Sequence, residues 1–146
     1  MTVIAWDGRT LAADKAAVDN GTIRTLTKIR RGRNGELMAA AGSSQMSERL
    51  YVWYMAGADA DKFPDNEAKC SFLVIQKDGK QLLFDGGPFP DVYEDKFIAI
   101  GSGRAFAIGA MAVGADARQA VEIAIQWCEG CGKGIDTLSH PFEARP

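Results

Sequence analysis

The chain has 146 residues, 47% hydrophobic and 25% charged, enough to bury one ordinary core over residues 1–146 without disulfide or metal staples. Seventeen basic against nineteen acidic side chains leave a formal charge of −2, which supplies no drive toward nucleic acid or an anionic membrane. No apolar run approaches the roughly 20 residues that span a bilayer, and Met1-Thr2-Val3-Ile4 lacks the basic opening of a signal peptide, so the expected location is the cytoplasm.

Thr2 to Trp6 reads as a short apolar strand, Asp7-Gly8 as a hairpin turn, and Thr10 to Ala13 as the returning strand. A polar bend at Asp19-Asn20-Gly21 leads into a β-branched run, Thr22 to Ile29. Asn34-Gly35 forms a further tight turn before the small-residue strand Leu37 to Ala41. Ser43 or Ser44 then caps a helix with Leu50, Trp53 and Tyr54 at helical spacing. Residues 57–69 are polar and contain Pro64, which predicts a loop or a short irregular helix. Ser71 to Gln76 and Gln81 to Phe84 flank the Asp78-Gly79 turn of a second hairpin, followed by a Gly/Pro loop over 86–90. Phe97 to Ile100 is a strand entering Gly101-Ser102-Gly103, and Arg104 to Val113 is an alanine-rich helix. Asp116 to Trp127 is a further helix, with Ala120, Ile123, Ala124 and Trp127 predicted on one face. Ile135 to Leu138 closes the series as a strand. Strand runs around helical blocks predict an α+β fold, antiparallel sheets covered by helices, rather than a doubly wound parallel sheet.

Three cysteines, Cys70, Cys128 and Cys131, do not make a disulfide framework. Cys128-Glu129-Gly130-Cys131 has CxxC spacing, but a structural zinc takes four ligands, and only Cys70 and the lone His140 remain as soft candidates. A redox pair is the second reading, although Glu129 and Gly130 supply no pattern tied to thiol activation. The simplest reading is reduced thiols beside a packed turn. No metal or cofactor is expected.

Four features sit where chemistry could gather. A threonine hydroxyl, as at Thr2, becomes a nucleophile only when a base takes its proton, and an α-amine on the same residue is one solution. Such an amine has an ordinary pKa of about 7.7–8.0, near the working pH of a general base. Leu11-Ala12-Ala13-Asp14 ends an apolar strand in a carboxylate, and Lys28 precedes Ile29 near a strand end. Ala41-Gly42-Ser43 and Gly101-Ser102-Gly103 each lead from strand to helix, where backbone N–H groups can hold an anion. Neither is a nucleotide motif, since position 106 is Phe where a dinucleotide loop needs glycine.

In combination, Thr2-Val3-Ile4-Ala5-Trp6, Leu11-Ala12-Ala13-Asp14, Lys28-Ile29-Arg30-Arg31, the Gly42 turn and Ile98-Ala99-Ile100-Gly101-Ser102-Gly103 resemble the proteasome β-subunit group. Within these N-terminal nucleophile hydrolases the chain looks most like the HslV-type peptidase and short proteasome-like relatives. The resemblance implies a four-layer αββα sandwich of two antiparallel sheets flanked by helices. One outer helix is expected to be shortened or missing, because 57–70 is short and polar. It implies Thr2 as nucleophile once Met1 is removed, Lys28 as the positive charge beside it, and Asp14 as the partner that orients Lys28. Gly42 would supply the oxyanion N–H and Ser102 would hold the Thr2 amine. Glu129 and Asp136 are the candidates for a supporting late carboxylate. The implied activity is a threonine-type peptidase on peptide substrates, self-associated in a ring or other homo-oligomer, with an ATP-dependent unfoldase as a conceivable partner. The alternatives are a catalytically silent subunit with a structural role and an amidase acting on small amides.

Overall fold

A computed structural model describes residues 1–66 and 68–140. In chain order the elements are β1 (Ile4–Trp6), β2 (Thr10–Asp14), β3 (Ala16–Asp19), β4 (Thr22–Thr25), β5 (Ile29–Arg31) and β6 (Leu37–Ala41). There follow α1 (Ser44–Met55), β7 (Ser71–Ile75), β8 (Gln81–Asp85), β9 (Asp91–Tyr93) and β10 (Ile98–Ile100). The chain then enters α2 (Arg104–Ala112), α3 (Ala117–Trp127) and β11 (Ile135–Ser139).

The first hairpin forms because Asp7 Oδ1 accepts the amide protons of Arg9 and Thr10, both at 2.8 Å, which fixes the reversal between β1 and β2. β1 lies between β2 and β10, and β11 extends the sheet beyond β2, all antiparallel. The second sheet runs β5-β6-β7-β8-β9, also antiparallel throughout. β3 and β4 form a separate two-stranded ribbon.

Side-chain alternation along the strands builds the layers. Ile4, Trp6, Leu11 and Ala13 point one way and meet Ile29, Leu37, Ala39, Leu73 and Ile75 of the facing sheet. The intervening residues Val3, Ala5 and Ala12 face α2 and α3, whose Ala107, Met111, Ala117, Ala120, Val121 and Ala124 close that side. On the other side, α1 lays Met46, Leu50, Tyr51 and Trp53 on Met38, Ala40, Phe72, Val74 and Phe84. The order is therefore helices, sheet, sheet, helix. Each fully buried Leu, Ile or Phe in these layers contributes about 1.5–3 kcal/mol. Alanine dominates the helix-facing side of β1 and β2, so α2 and α3 approach closely.

Among the described residues the outer layer over the second sheet is a single helix, and those between α1 and β7 make just the single-turn 3₁₀ helix Ala60–Lys62. That is the shortened helical layer expected from the polar stretch.

Three local expectations are corrected. The run Thr22 to Ile29 is not one strand: β4 ends at Thr25, and the Leu26 amide donates to the Lys15 carbonyl at 2.7 Å as the chain crosses to the second sheet. Its partner β3 and the short β9 both went unpredicted. All residues of β4 and β9 are exposed, so neither shows burial alternation to betray it. On α3 the buried set is Ala117, Ala120, Val121 and Ala124, while Ile123 and Trp127 are exposed. The small residues, not the large ones, face the sheet.

Candidate active site

The site lies where β1 and β2 open at the edge of the inter-sheet core. Asp14, the last residue of β2, is fully buried and saturated with donors. Its Oδ1 accepts from the Val3 amide at 3.1 Å and from Lys28 Nζ at 2.8 Å. Its Oδ2 accepts from the Ala16 amide at 3.3 Å and the Gly132 amide at 3.0 Å. A buried carboxylate is tolerable only with such a complement, since each unpaired lone pair there would be costly.

Lys28 sits in the crossing segment just before β5, not on a strand, and is 8% exposed. An ammonium has three donors. Lys28 Nζ places one on Asp14 Oδ1, one on Thr2 Oγ1 at 3.1 Å and one on the Met1 carbonyl at 3.0 Å. The Lys28 backbone carbonyl is in turn held by the Tyr51 hydroxyl at 2.8 Å, so α1 locks the segment carrying the lysine. Burial, first of all, pushes the Tyr51 hydroxyl up to about 12, and it stays a donor at any physiological pH.

Thr2 itself is buried. Its amide nitrogen donates to Ser102 Oγ at 3.1 Å, and its carbonyl accepts from the Gly103 amide at 3.0 Å and from Ser102 Oγ at 3.3 Å. The Gly101-Ser102-Gly103 turn thus wraps the backbone of residue 2. Gly101 has φ +94, and a Cβ there would overlap the Thr2 carbonyl oxygen, so only glycine admits this approach.

Gly42 faces Thr2 across the opening and lines both adjoining cavities. One, of about 420 Å³, is bounded by Thr2, Leu26, Lys28, Ser47 and Tyr51. The other, of about 640 Å³, is bounded by Thr2, Ser71, Asp85, Gly101 and Ser102. Gly42 has φ +133, and a Cβ would come within 2.6 Å of Cys70 Sγ, so the turn out of β6 is tied to glycine. Ser43, next along, caps α1 by accepting from the Met46 amide at 3.4 Å.

The structure therefore brings Thr2, Asp14, Lys28 and Ser102 into one hydrogen-bonded group with Gly42 opposite. Glu129 and Asp136 lie outside it. Glu129 is exposed on the turn after α3, and Asp136, on β11, pairs with Lys15 at 2.7 Å. What takes the late position instead is the cysteine turn. Cys128 Sγ is 3.7 Å from Ser102 Oγ, and Gly132 donates to Asp14. The only sequence signal for this was the CxxC spacing immediately behind a helix. Cys70 is remote from that turn, beside Gly42, and burial raises its thiol pKa. Among the described residues no three His, Cys, Asp or Glu side chains converge as a metal site.

Solved structures share this architecture. BPH of Thiobacillus denitrificans, in a structure with epoxomicin, matches with TM-score 0.71 and 22% identity over 95% of this chain and 97% of that one. A second BPH structure gives TM-score 0.68 and 20% identity over 94% and 96% of the two chains. Eukaryotic HslV from Trypanosoma brucei gives 0.69 and 21% over 94% and 97%. The chain has the fold of HslV. No family model matches the sequence, and no curated protein matches it. Because the match with HslV is nearly end to end, the short segment after α1 is accommodated inside the common architecture. No helix among the described residues is long and apolar enough to cross a membrane.

Proposed function

We propose that this chain is a threonine-type peptidase whose nucleophile is the Thr2 hydroxyl, working beside a free α-amine once Met1 has been removed. The observation that carries the reading is Lys28 Nζ at 3.1 Å from Thr2 Oγ1 with Asp14 Oδ1 behind it at 2.8 Å. A positive charge at that distance favours the alkoxide-like form of the hydroxyl as attack begins. With its protons directed at oxygens, Lys28 stabilises charge and the Thr2 amine takes the proton, directly or through water. The Lys28 donor now on the Met1 carbonyl is released when Met1 leaves.

The steps follow from these positions. Thr2 Oγ1 attacks the peptide carbonyl, and the negative oxygen that forms turns toward the Gly42 N–H. The amine, held by Ser102 Oγ, returns its proton to the departing amino group. An ester on Thr2 remains. Water, deprotonated by the same amine, hydrolyses it and restores the hydroxyl. Substrate residues on either side of the cleaved bond occupy the two cavities that meet at Thr2. Self-association into a ring or other homo-oligomer belongs to this reading. A cytoplasmic ring of this kind would take extended chains, with an ATP-dependent unfoldase to supply them.

Intact mass spectrometry before and after epoxomicin, the ligand in the BPH structure, tests the reading. The expected result is loss of Met1 and a single adduct on Thr2, absent in Thr2→Ala at unchanged melting temperature. Retained Met1 with no adduct assigns the chain to the silent structural class. Loss of Met1 with no adduct but turnover of small amides assigns it to the amidases. An adduct persisting in Thr2→Ala overturns the nucleophile.

A further inference from the structure

The turn after α3 holds two thiols for which peptide hydrolysis has no need. We propose that Cys128 and Cys131 are a redox-active pair that closes to a disulfide and thereby disarms the Thr2 site. The effect on activity rests on the peptidase reading; the disulfide itself does not.

Cys128 ends α3, and the Cys131 amide donates back to the Cys128 carbonyl at 3.3 Å. A turn closed in this way brings its first and fourth Cα atoms within about 7 Å, overlapping the separation a disulfide spans. The two thiols are near enough for Cys128 to act on the titration of Cys131. Both are half-buried and reachable, unlike Cys70, which is enclosed. Burial first, then the Cys128 thiol and the Asp14 charge, push the Cys131 thiol up to about 12, so at neutral pH it keeps its proton. Cys128, whose sulfur reaches Ser102 Oγ at the end of α3, is assigned the first attack.

Two connections tie this turn to the site. Cys128 Sγ lies 3.7 Å from Ser102 Oγ, which accepts from the Thr2 nitrogen. Gly132, next to Cys131, donates to Asp14 Oδ2 at 3.0 Å and accepts from the Lys15 amide at 2.9 Å. Joining the sulfurs removes the Cys128 S–H beside Ser102 and contracts the turn that supplies the Gly132 N–H to Asp14. Both supports of the nucleophile are disturbed by one bond.

The oxidant is a low-molecular-weight disulfide. Cys128 sulfur attacks it, forming a mixed disulfide and releasing one small thiol that carries the Cys128 proton. Cys131, passing through the small thiolate fraction that its raised pKa leaves, then attacks the Cys128 sulfur, and its proton goes to the second small thiol as that departs. Two protein thiols are oxidised and one small disulfide is reduced to two thiols.

The full chain is equilibrated in buffers of stepped oxidised-to-reduced glutathione ratio, then acid-quenched for intact mass and peptide mapping. The expected product has lost two hydrogens and carries a 128–131 link, and its rate of epoxomicin addition falls at least about tenfold, the scale of a lost hydrogen bond at a reacting group. Reductant restores the rate. Cys131→Ser, compared with its own reduced state, forms only the glutathione adduct and never the link. Failure of the link to form at any ratio overturns the pair. A link that leaves the addition rate unchanged overturns the coupling. Where the reduced protein takes no epoxomicin at all, the peptidase reading fails. Amide NMR shifts of Thr2, Ser102 and Gly132 then decide: movement on oxidation supports the coupling, and none overturns it.

Discussion

Two ion pairs reach the same cavity from residues two apart in the chain, and they do different work. Lys28–Asp14 spans 2.8 Å with side chains 6% and 0% exposed. Arg30–Glu48 spans 2.7 Å with side chains 44% and 58% exposed. Equal distance does not make equal energy. Water already satisfies both members of the outer pair, so its net worth is about 0–1 kcal/mol. The inner pair has left water behind, and Asp14 draws on three backbone amides as well as the lysine. Such a pair stabilises little compared with an apolar substitute, yet removing one partner strands the other. The pair therefore bears on the proposed chemistry through its position beside Thr2 more than on net stability.

Breaking the inner pair gives the largest effects. Asp14→Ala leaves Lys28 buried without its counter-ion and orphans the amides of Val3, Ala16 and Gly132. Urea unfolding should show a loss of about 3–5 kcal/mol. Lys28→Met keeps the side-chain volume but removes the charge. Epoxomicin addition to Thr2 should slow by about a hundredfold or more, a barrier change of at least roughly 2.7 kcal/mol. A slowing below about tenfold would remove Lys28 from the mechanism.

Arg30→Ala sharpens the contrast from the outside. Arg30 also lies 3.8 Å over the Tyr51 ring. Loss of that contact and the exposed pair together should cost about 1 kcal/mol, read from the urea midpoint, with little change in the addition rate. The effect of pH is absent near neutrality and opens only in alkali. Burial raises the Tyr51 hydroxyl from 10.0 to about 12 and the Cys131 thiol from 9.0 to about 12. In both cases the folded pKa lies above the unfolded one, so the unfolded chain gives up its proton first. Stability is complete below about pH 9 and declines as the pH rises toward 12. Tyr51→Phe should make that decline shallower, measured as urea midpoints across the range.

Much of this arrangement was readable before any coordinates. Asp7-Gly8 and Asp78-Gly79 announce their reversals, and the apolar runs around them have no other place to go than a core. Asp14 stood out as a carboxylate closing an apolar strand and Lys28 as a cation beside Ile29, but their pairing came only from the family resemblance. What stayed hidden was set by topology. β4 and the outer half of β3 are exposed, so nothing in the ribbon's periodicity separates it from the strand that follows. The break at Leu26-Thr27-Lys28 exists because the chain must cross between sheets, and no local propensity encodes that. Ile123 and Trp127 looked like core by size, whereas the close sheet surface of Ala5 and Ala12 admits only the small face of α3. Cys128 reaches Ser102 only after a helix and a turn have folded back, and linear spacing cannot reveal that meeting.

β1, which begins two residues after Thr2, is flanked by β10 as well as β2, and Thr2 meets Ser102 across 100 residues while Asp14 meets Gly132 across 118. On the ribosome, then, residues 2 and 14 wait for partners made 100 and 118 positions later. A half-synthesised chain holds the threonine without the loop that grips it and the aspartate without its last amide donor. Translation order therefore acts on the proposed site: Thr2 and Asp14 lack their full set of partners until residue 132 has left the ribosome.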